Sequence, residues 1–272
     1  MNKFIRRLSL TVFIGIEAAT GLSGQGMATN PPRLYFTTPP KGNEVRKLTV
    51  MNTGQTQLEL GISVGDWDYD RAGDNRFYDG GTLKTSAANW IGIFPSSYLV
   101  LQAGERRDLE VTLNVPATAD SSVSVRTAMI FLTQLNPAEV KSTGGAAIQV
   151  SIRSGTKVYH SFFPEDSRDI MIVDFKKMIP KADNNKTALQ LTISVTGKLW
   201  VEGKVITELL HMRSGEKTKL ADNRFYALPG DLRYIRLDLP PDLPPGRYTA
   251  TTMVSFEKRD LLKMAELEFE MP

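Results

Sequence analysis

The chain of 272 residues has no cysteine and only two histidines, His160 and His211. Without cysteine there are no disulfides and no thiol chemistry, so apolar cores must supply the stability. With two histidines, a histidine-based metal centre would need both imidazoles plus carboxylates from distant segments. After Ala19 no stretch approaches the roughly 20 apolar residues that a membrane-crossing helix requires, so no stable membrane insertion is expected. Helical periodicity is equally scarce, and only residues 260–266 invite the question. A strong charge is missing too. The net of +3 falls to +1 once residues 1–28 are set aside with Lys3, Arg6, Arg7 and Glu17, which leaves no electrostatic footprint for nucleic acid.

Residues 1–28 are set aside for a physical reason. Lys3, Arg6 and Arg7 precede an apolar run over residues 8–19, and small residues follow, which is the pattern of a secretory signal peptide. Gly26-Met27-Ala28 fits a small-x-small cleavage site and would leave Thr29 first, although a cut near Gly24 also fits. The remaining length suffices for two domains.

Short alternating or apolar runs occupy residues 46–51, 58–64, 98–101, 109–115, 126–132 and 146–153. Turn signals such as Asn52-Thr53-Gly54, Gly80-Gly81 and Asn136-Pro137 separate them. Regular short strands with such punctuation predict an all-β sandwich. The polar stretch over residues 164–168 suits a linker, and a second series of strands follows it. The expected domains are therefore 29–163 and 164–272. In the second, residues 242–248, Asp-Leu-Pro-Pro-Gly-Arg-Tyr, have the form of a tyrosine corner, in which Tyr248 bonds back to upstream backbone.

One strand stands apart. Over residues 144–157, Ala146, Ile148, Val150 and Ile152 recur at spacing two, so in an extended chain they share one face, opposite Ala147, Gln149, Ser151 and Arg153. A Gly-, Pro- and Ser-containing run over residues 136–145 leads into it, as a loop at a sheet edge would. An apolar edge strand is an aggregation hazard that needs a reason for being kept. Two readings stay open on periodicity alone: the residues face their own core, or they receive another chain.

Several separated segments together resemble the periplasmic chaperones of pilus assembly, the PapD-like family. They are Arg33-Leu-Tyr-Phe with Leu48-Thr-Val-Met-Asn52, the run from Trp90 through Pro95 and Gly104 to Val111, Ser124-Val-Arg126 with its apolar strand, and residues 146–157. The resemblance implies two immunoglobulin-like β-sandwich domains set at an angle with a cleft between them, no catalytic chemistry and no cofactor. It implies pilus or fimbrial subunits and an outer-membrane usher as partners, and a periplasmic location. Ala146, Ile148, Val150 and Ile152 would complete a subunit's unfinished sandwich as an added strand. Arg33 and Lys157 would hold the subunit's C-terminal carboxylate. Thr156 is an alternative occupant of the anchor position. His160 would face the region of Asp242 as an interdomain contact. Whether the free protein caps its edge as a dimer is left open.

Three other readings compete. Asp66, Asp68 and Asp70 alternate as in a calcium loop, but Arg71 and Phe77 stand where an EF-hand needs Gly and Glu, so a strand end with a solvated turn is expected, without a metal. A structural or adhesive immunoglobulin-like exported protein would keep the apolar strand within its own core. A hydrolase or carbohydrate-binding module would have Trp67, Tyr69 and Asp70 as its grouping, and no constellation of residues is read as an enzyme signature.

Overall fold

The computed structural model describes residues 26–137, 139–141, 147–178, 187–256 and 262–272. The first 25 residues, which contain most of the expected leader, lie outside this set. The strands of the first domain are β1 (Met27–Asn30), β2 (Arg33–Phe36), β3 (Asn43–Asn52), β4 (Leu58–Tyr69), β5 (Asn75–Asp79), β6 (Ile91–Phe94), β7 (Tyr98–Leu101), β8 (Arg106–Asn114), β9 (Arg126–Gln134), β10 (Glu139–Lys141), β11 (Ala147–Gln149) and β12 (Arg153–His160). One sheet has the order β1-β3-β8-β6. The facing sheet has the order β2-β12-β9-β4-β5, with β7 also on β4.

Those two sheets close on Leu34, Phe36, Leu48, Val50, Leu60, Leu109, Val111, Ile130, Leu132 and Val158, all buried. Strand alternation decides which residues reach this core. In the second sheet the even-numbered positions of β2, β9 and β12 point inward: Leu34 and Phe36, Ala128 and Ile130, Val158 and His160. The odd-numbered positions point out of the sandwich, where a separate cluster gathers Trp67, Tyr69, Met129, Phe131 and Tyr159 with Leu199 and Trp200 of the second domain.

A single 3-10 turn, Glu165–Ser167, joins the sandwiches. The second contains β13 (Ile170–Lys177), β14 (Ala188–Val195), β15 (Val201–His211), β16 (Lys217–Lys219), β17 (Asn223–Ala227), β18 (Leu232–Asp238), β19 (Gly246–Phe256) and β20 (Leu262–Met271). Its sheets run β13-β14-β18 and β16-β15-β19-β20, with β17 on β15. They enclose Leu191, Ile193, Val205, Leu209, Phe225, Ile235, Tyr248, Val254 and Phe256. The Tyr248 hydroxyl donates to the Pro244 carbonyl at 2.8 Å, which makes the tyrosine corner. The chain is all-β, and of the stretch 260–266 the described residues 262–266 are strand rather than helix. Among the described residues no helix is long and apolar enough to cross a membrane.

Candidate functional site

The site is built where β2 and β12 lie side by side in parallel. Arg33 pairs with Lys157, Leu34 with Val158, Tyr35 with Tyr159 and Phe36 with His160. Paired residues on parallel strands project to the same side, so Arg33 and Lys157 both emerge on the outward face, toward the second domain.

Around them the cleft is aromatic. Tyr35 stacks on Trp200 at 5.0 Å and on Tyr159 at 5.2 Å between ring centroids, and Trp67 meets Tyr159 edge-on at 5.3 Å. The Lys157 ammonium lies 4.1 Å from the Trp67 ring centroid and 4.2 Å from that of Tyr69, and it donates to the Tyr69 hydroxyl at 2.8 Å. Among the described residues no carboxylate comes within ion-pair distance of it. Burial, and then the neighbouring positive charge of Arg33, lower the Lys157 pKa to about 8.

Arg33 is held from across the cleft. Its guanidinium sits 4.4 Å from the Tyr226 ring centroid, and its Nε lies 3.7 Å from Glu202 Oε1, which also accepts a 2.7 Å bond from the Tyr35 hydroxyl. Burial weighs against the Arg33 charge, and Glu202 and Tyr226 more than restore it, so its pKa is raised. Arg33 Nε is buried and makes no hydrogen bond among the described residues.

The backbone beside this pair has an open side. β12 is bonded to β9 along its whole length, from Arg153 opposite Thr133 to His160 opposite Arg126. On its other side β2 covers only Lys157 to His160. Among the described residues, Arg153 to Thr156 have no strand hydrogen-bonded to them on that side. Lys157 is therefore the residue at which the edge of β12 changes from covered to free.

The expected continuous strand over residues 146–157 is divided. Ala147–Gln149 form a short hairpin with Glu139–Lys141, and residues 150–152 lie between it and β12. The cause is that β9 ends at Gln134, so residues before Ile152 have no strand of their own sheet to pair with. Gln134 takes the last contacts: its backbone N–H donates to the Ile152 carbonyl, and its side-chain oxygen accepts from the Ile152 N–H. Val150 is 58% exposed and Ile152 half-buried. Ala146 and the side chain of Ile148 lie outside the described residues.

His160 does not join the cleft. The alternation that turns Lys157 and Tyr159 outward turns His160 inward, where it is fully buried against Trp90 and Phe162 and donates through Nε2 to the Thr38 carbonyl at 2.8 Å. Burial lowers its pKa. Asp242 is exposed in a turn of the second domain, and no contact joins the two. Thr156 also faces inward and is fully buried, which removes it as an anchor.

A further interdomain contact forms at the acidic turn and was not anticipated. Arg233 of β18 donates to the carbonyls of Asp70 at 2.7 Å and Ala72 at 3.2 Å, while the Tyr234 N–H donates to the Arg71 carbonyl at 2.8 Å. The acidic turn is thus docked on the second domain through its backbone carbonyls, while Arg71, Ala72 and Asp74 stay exposed to solvent, as a solvated turn does. Its carboxylates are committed separately: Asp66 to the Leu83 N–H and Ser86, Asp68 to Arg76, and Asp70 to the N–H groups of Gly73 and Asp74. A clue lay in the sequence, since Gly73 is the residue that lets Arg233 approach. Trp67 is fully buried and Tyr69 nearly so, so the supposed carbohydrate platform has no open face. The run Gly61-Ile62-Ser63-Val64-Gly65 does carry the Gly-x-Ser-x-Gly spacing, which the sequence reading passes over. Ser63 lies in the middle of β4, paired with Phe131, and not on a strand-to-helix elbow.

Among solved structures the chain is similar to several of fimbrial chaperones and their complexes, all under 25% identical. A chain from the chaperone–tip adhesin complex of CFA/I fimbriae is 10% identical, with a TM-score of 0.46, over 90% of this chain and 98% of that one. One from the CsuC–CsuE pre-assembly complex of Acinetobacter baumannii Csu pili is 11% identical, with a TM-score of 0.45, over 89% and 97%. The CupB2 chaperone of Pseudomonas aeruginosa is 11% identical, with a TM-score of 0.43, over 90% and 100%. No protein-family model matches the chain, and no curated protein matches it in sequence. What the chain does has to be read from its own cleft and edge.

Proposed function

We propose that the chain is an exported, non-catalytic chaperone that holds an incomplete fimbrial subunit by its C-terminal carboxylate and pairs with the strand leading to it. Delivery would then be to an outer-membrane usher. The observation that carries this reading is the coincidence at Lys157: a two-cation site, Arg33 with Lys157, lies at the point where the edge of β12 becomes free. A carboxylate suits a paired Arg and Lys. A strand running from that carboxylate along Thr156 to Arg153 would find main-chain donors and acceptors, which serve any client sequence. Val150 and Ile152, with Ala146 and Ile148 beyond them, would supply apolar contacts on the order of 1.5–3 kcal/mol for each large aliphatic group before ordering costs.

The same reading makes the mature protein periplasmic, with its leader removed near Gly24. That cut preserves all of β1, in which Met27 pairs with Asn52 and Ala28 with Met51, whereas a cut after Ala28 would remove half of the strand.

The test is affinity capture from a periplasmic extract, comparing wild type with an Arg33→Ala/Lys157→Ala variant and identifying bound proteins by mass spectrometry. Small β-rich exported proteins should accompany the wild type and disappear with the variant. If both come through alone while a fimbrial client is expressed, the chain is instead a structural or adhesive immunoglobulin-like protein.

A further inference from the structure

The anchor already has a carboxylate beside it, supplied by the second domain. Glu202 is the second residue of β15, after Val201, and pairs in register with Tyr226, so two adjacent strands present an acid and an aromatic ring to the same guanidinium. The grip is partial. At 3.7 Å the Glu202–Arg33 contact is a charge pair without a hydrogen bond, and Arg33 Nε stays unbonded. Glu202 is instead held by the Tyr35 hydroxyl at 2.7 Å, and Lys157 receives no carboxylate among the described residues. The Glu202 side chain is 38% exposed, so it can turn to solvent without a large desolvation change. A ligand carboxylate able to use the guanidinium fork and the Lys157 ammonium together would make more contacts than Glu202 does.

We infer that Glu202 is an internal competitor for the anchor, a carboxylate of this chain that holds Arg33 in the free protein and gives way to a client's C-terminal carboxylate. The inference rests on the carboxylate-anchor reading above and adds a selectivity element to it. A small anion offers little beyond the charge that Glu202 already provides. A chain terminus also brings a strand to the open edge, and the combination displaces the resident acid.

The probe is an N-acetylated peptide of eight alternating valine and threonine residues, made with a free C-terminal carboxylate and as the C-terminal amide. Binding of both to wild type, Glu202→Gln and Arg33→Ala is measured by isothermal titration calorimetry. The Glu202→Gln change is nearly isosteric and keeps an oxygen to accept the Tyr35 hydroxyl, so the fold should be retained, with an unchanged melting temperature as the check. The carboxylate peptide should bind Glu202→Gln about two- to five-fold tighter than wild type, the scale of one partly exposed charge pair, with the amide unchanged. Discrimination seen only in Glu202→Gln would also support the inference.

If wild type prefers the carboxylate, loses that preference in Arg33→Ala and gains nothing in Glu202→Gln, the competitor role fails while the anchor stands. If no variant distinguishes carboxylate from amide, the anchor fails and the competitor with it. A second readout needs no peptide. The pH midpoint for acylation of Lys157 should fall below its wild-type value in Glu202→Gln, because an opposing charge is removed. An unmoved midpoint would mean that Glu202 does not act on the anchor.

Discussion

Arg33 and Lys157 are register partners on two parallel strands, brought side by side from 124 positions apart in sequence, and their charges share one aromatic enclosure. Most of the cleft's behaviour follows from putting two cations in a half-buried aromatic site and leaving Lys157, among the described residues, without a carboxylate at ion-pair distance.

The first consequence is a pH dependence. Lys157 is cationic below about pH 8 and loses its proton above it. Binding of a carboxylate-terminated peptide should be nearly constant from pH 6 to 7 and weaken as the pH rises through 8 and beyond, while a Lys157→Arg variant should show no such fall. Calorimetric titration at several pH values checks this. Stability moves the other way. The folded pKa lies below the ordinary 10.5, so the unfolded chain holds more protons between about 8 and 10.5, and Lys157 alone makes the fold more stable as pH rises through that window.

The docking of the acidic turn should be broken by one methyl group. A Cβ at Gly73 would come within 1.7 Å of Arg233 Nη2, and its φ of +102° is already unfavourable for other residues. Gly73→Ala should therefore release the turn from β18, at a cost on the order of 1–3 kcal/mol. Hydrogen exchange at the Tyr234 amide, which donates to the Arg71 carbonyl, should speed up, and Arg233→Ala should produce the same change without backbone strain.

Asp231 is expected to behave as a destabilising charge at neutral pH. Burial raises its pKa from 3.8 to about 6, against the pull of a 2.8 Å bond from the Leu228 N–H and of the Arg233 charge. Between about pH 4 and 6 the folded state holds more protons than the unfolded one, so stability falls as pH rises through that window. Asp231→Asn keeps an acceptor for Leu228 and removes the charge. Its melting temperature should exceed wild type at pH 7.5, with the difference vanishing near pH 4.

Removing the corner hydroxyl isolates one domain. Tyr248→Phe loses the bond to the Pro244 carbonyl and should cost about 1 kcal/mol in urea denaturation. The loss should appear in the transition of the second sandwich, with the first unaffected.

The strands and the two cores were legible because alternation and turn residues are local signals. Tyr248 and the neighbourhood of Arg33 with Lys157 were legible too, the latter through a family likeness. Parity along β12 was available in the sequence but was not applied to His160, which has the same parity as the buried Val158. The docking of residues 70–72 on β18 was hidden because its bonds go to backbone carbonyls, and its one trace in residue type, Gly73, reads as an ordinary turn glycine. Glu202 carries no motif at all. It matters only because the fold brings the start of β15 against β2.

The stacked rings of Tyr35, Tyr159 and Trp200 span both sandwiches, so the cations and the free edge of β12 are fixed in one frame. That frame turns the strand into a gauge. From Lys157 back to Ile152 is five residues, about 17 Å of extended chain. Under the proposed function, a client whose terminus is seated at the cations would thereby be measured. One residue more or fewer between its carboxylate and its first apolar side chain would turn that side chain to the opposite face, so clients would be sorted by segment length before any detail of their sequence is consulted.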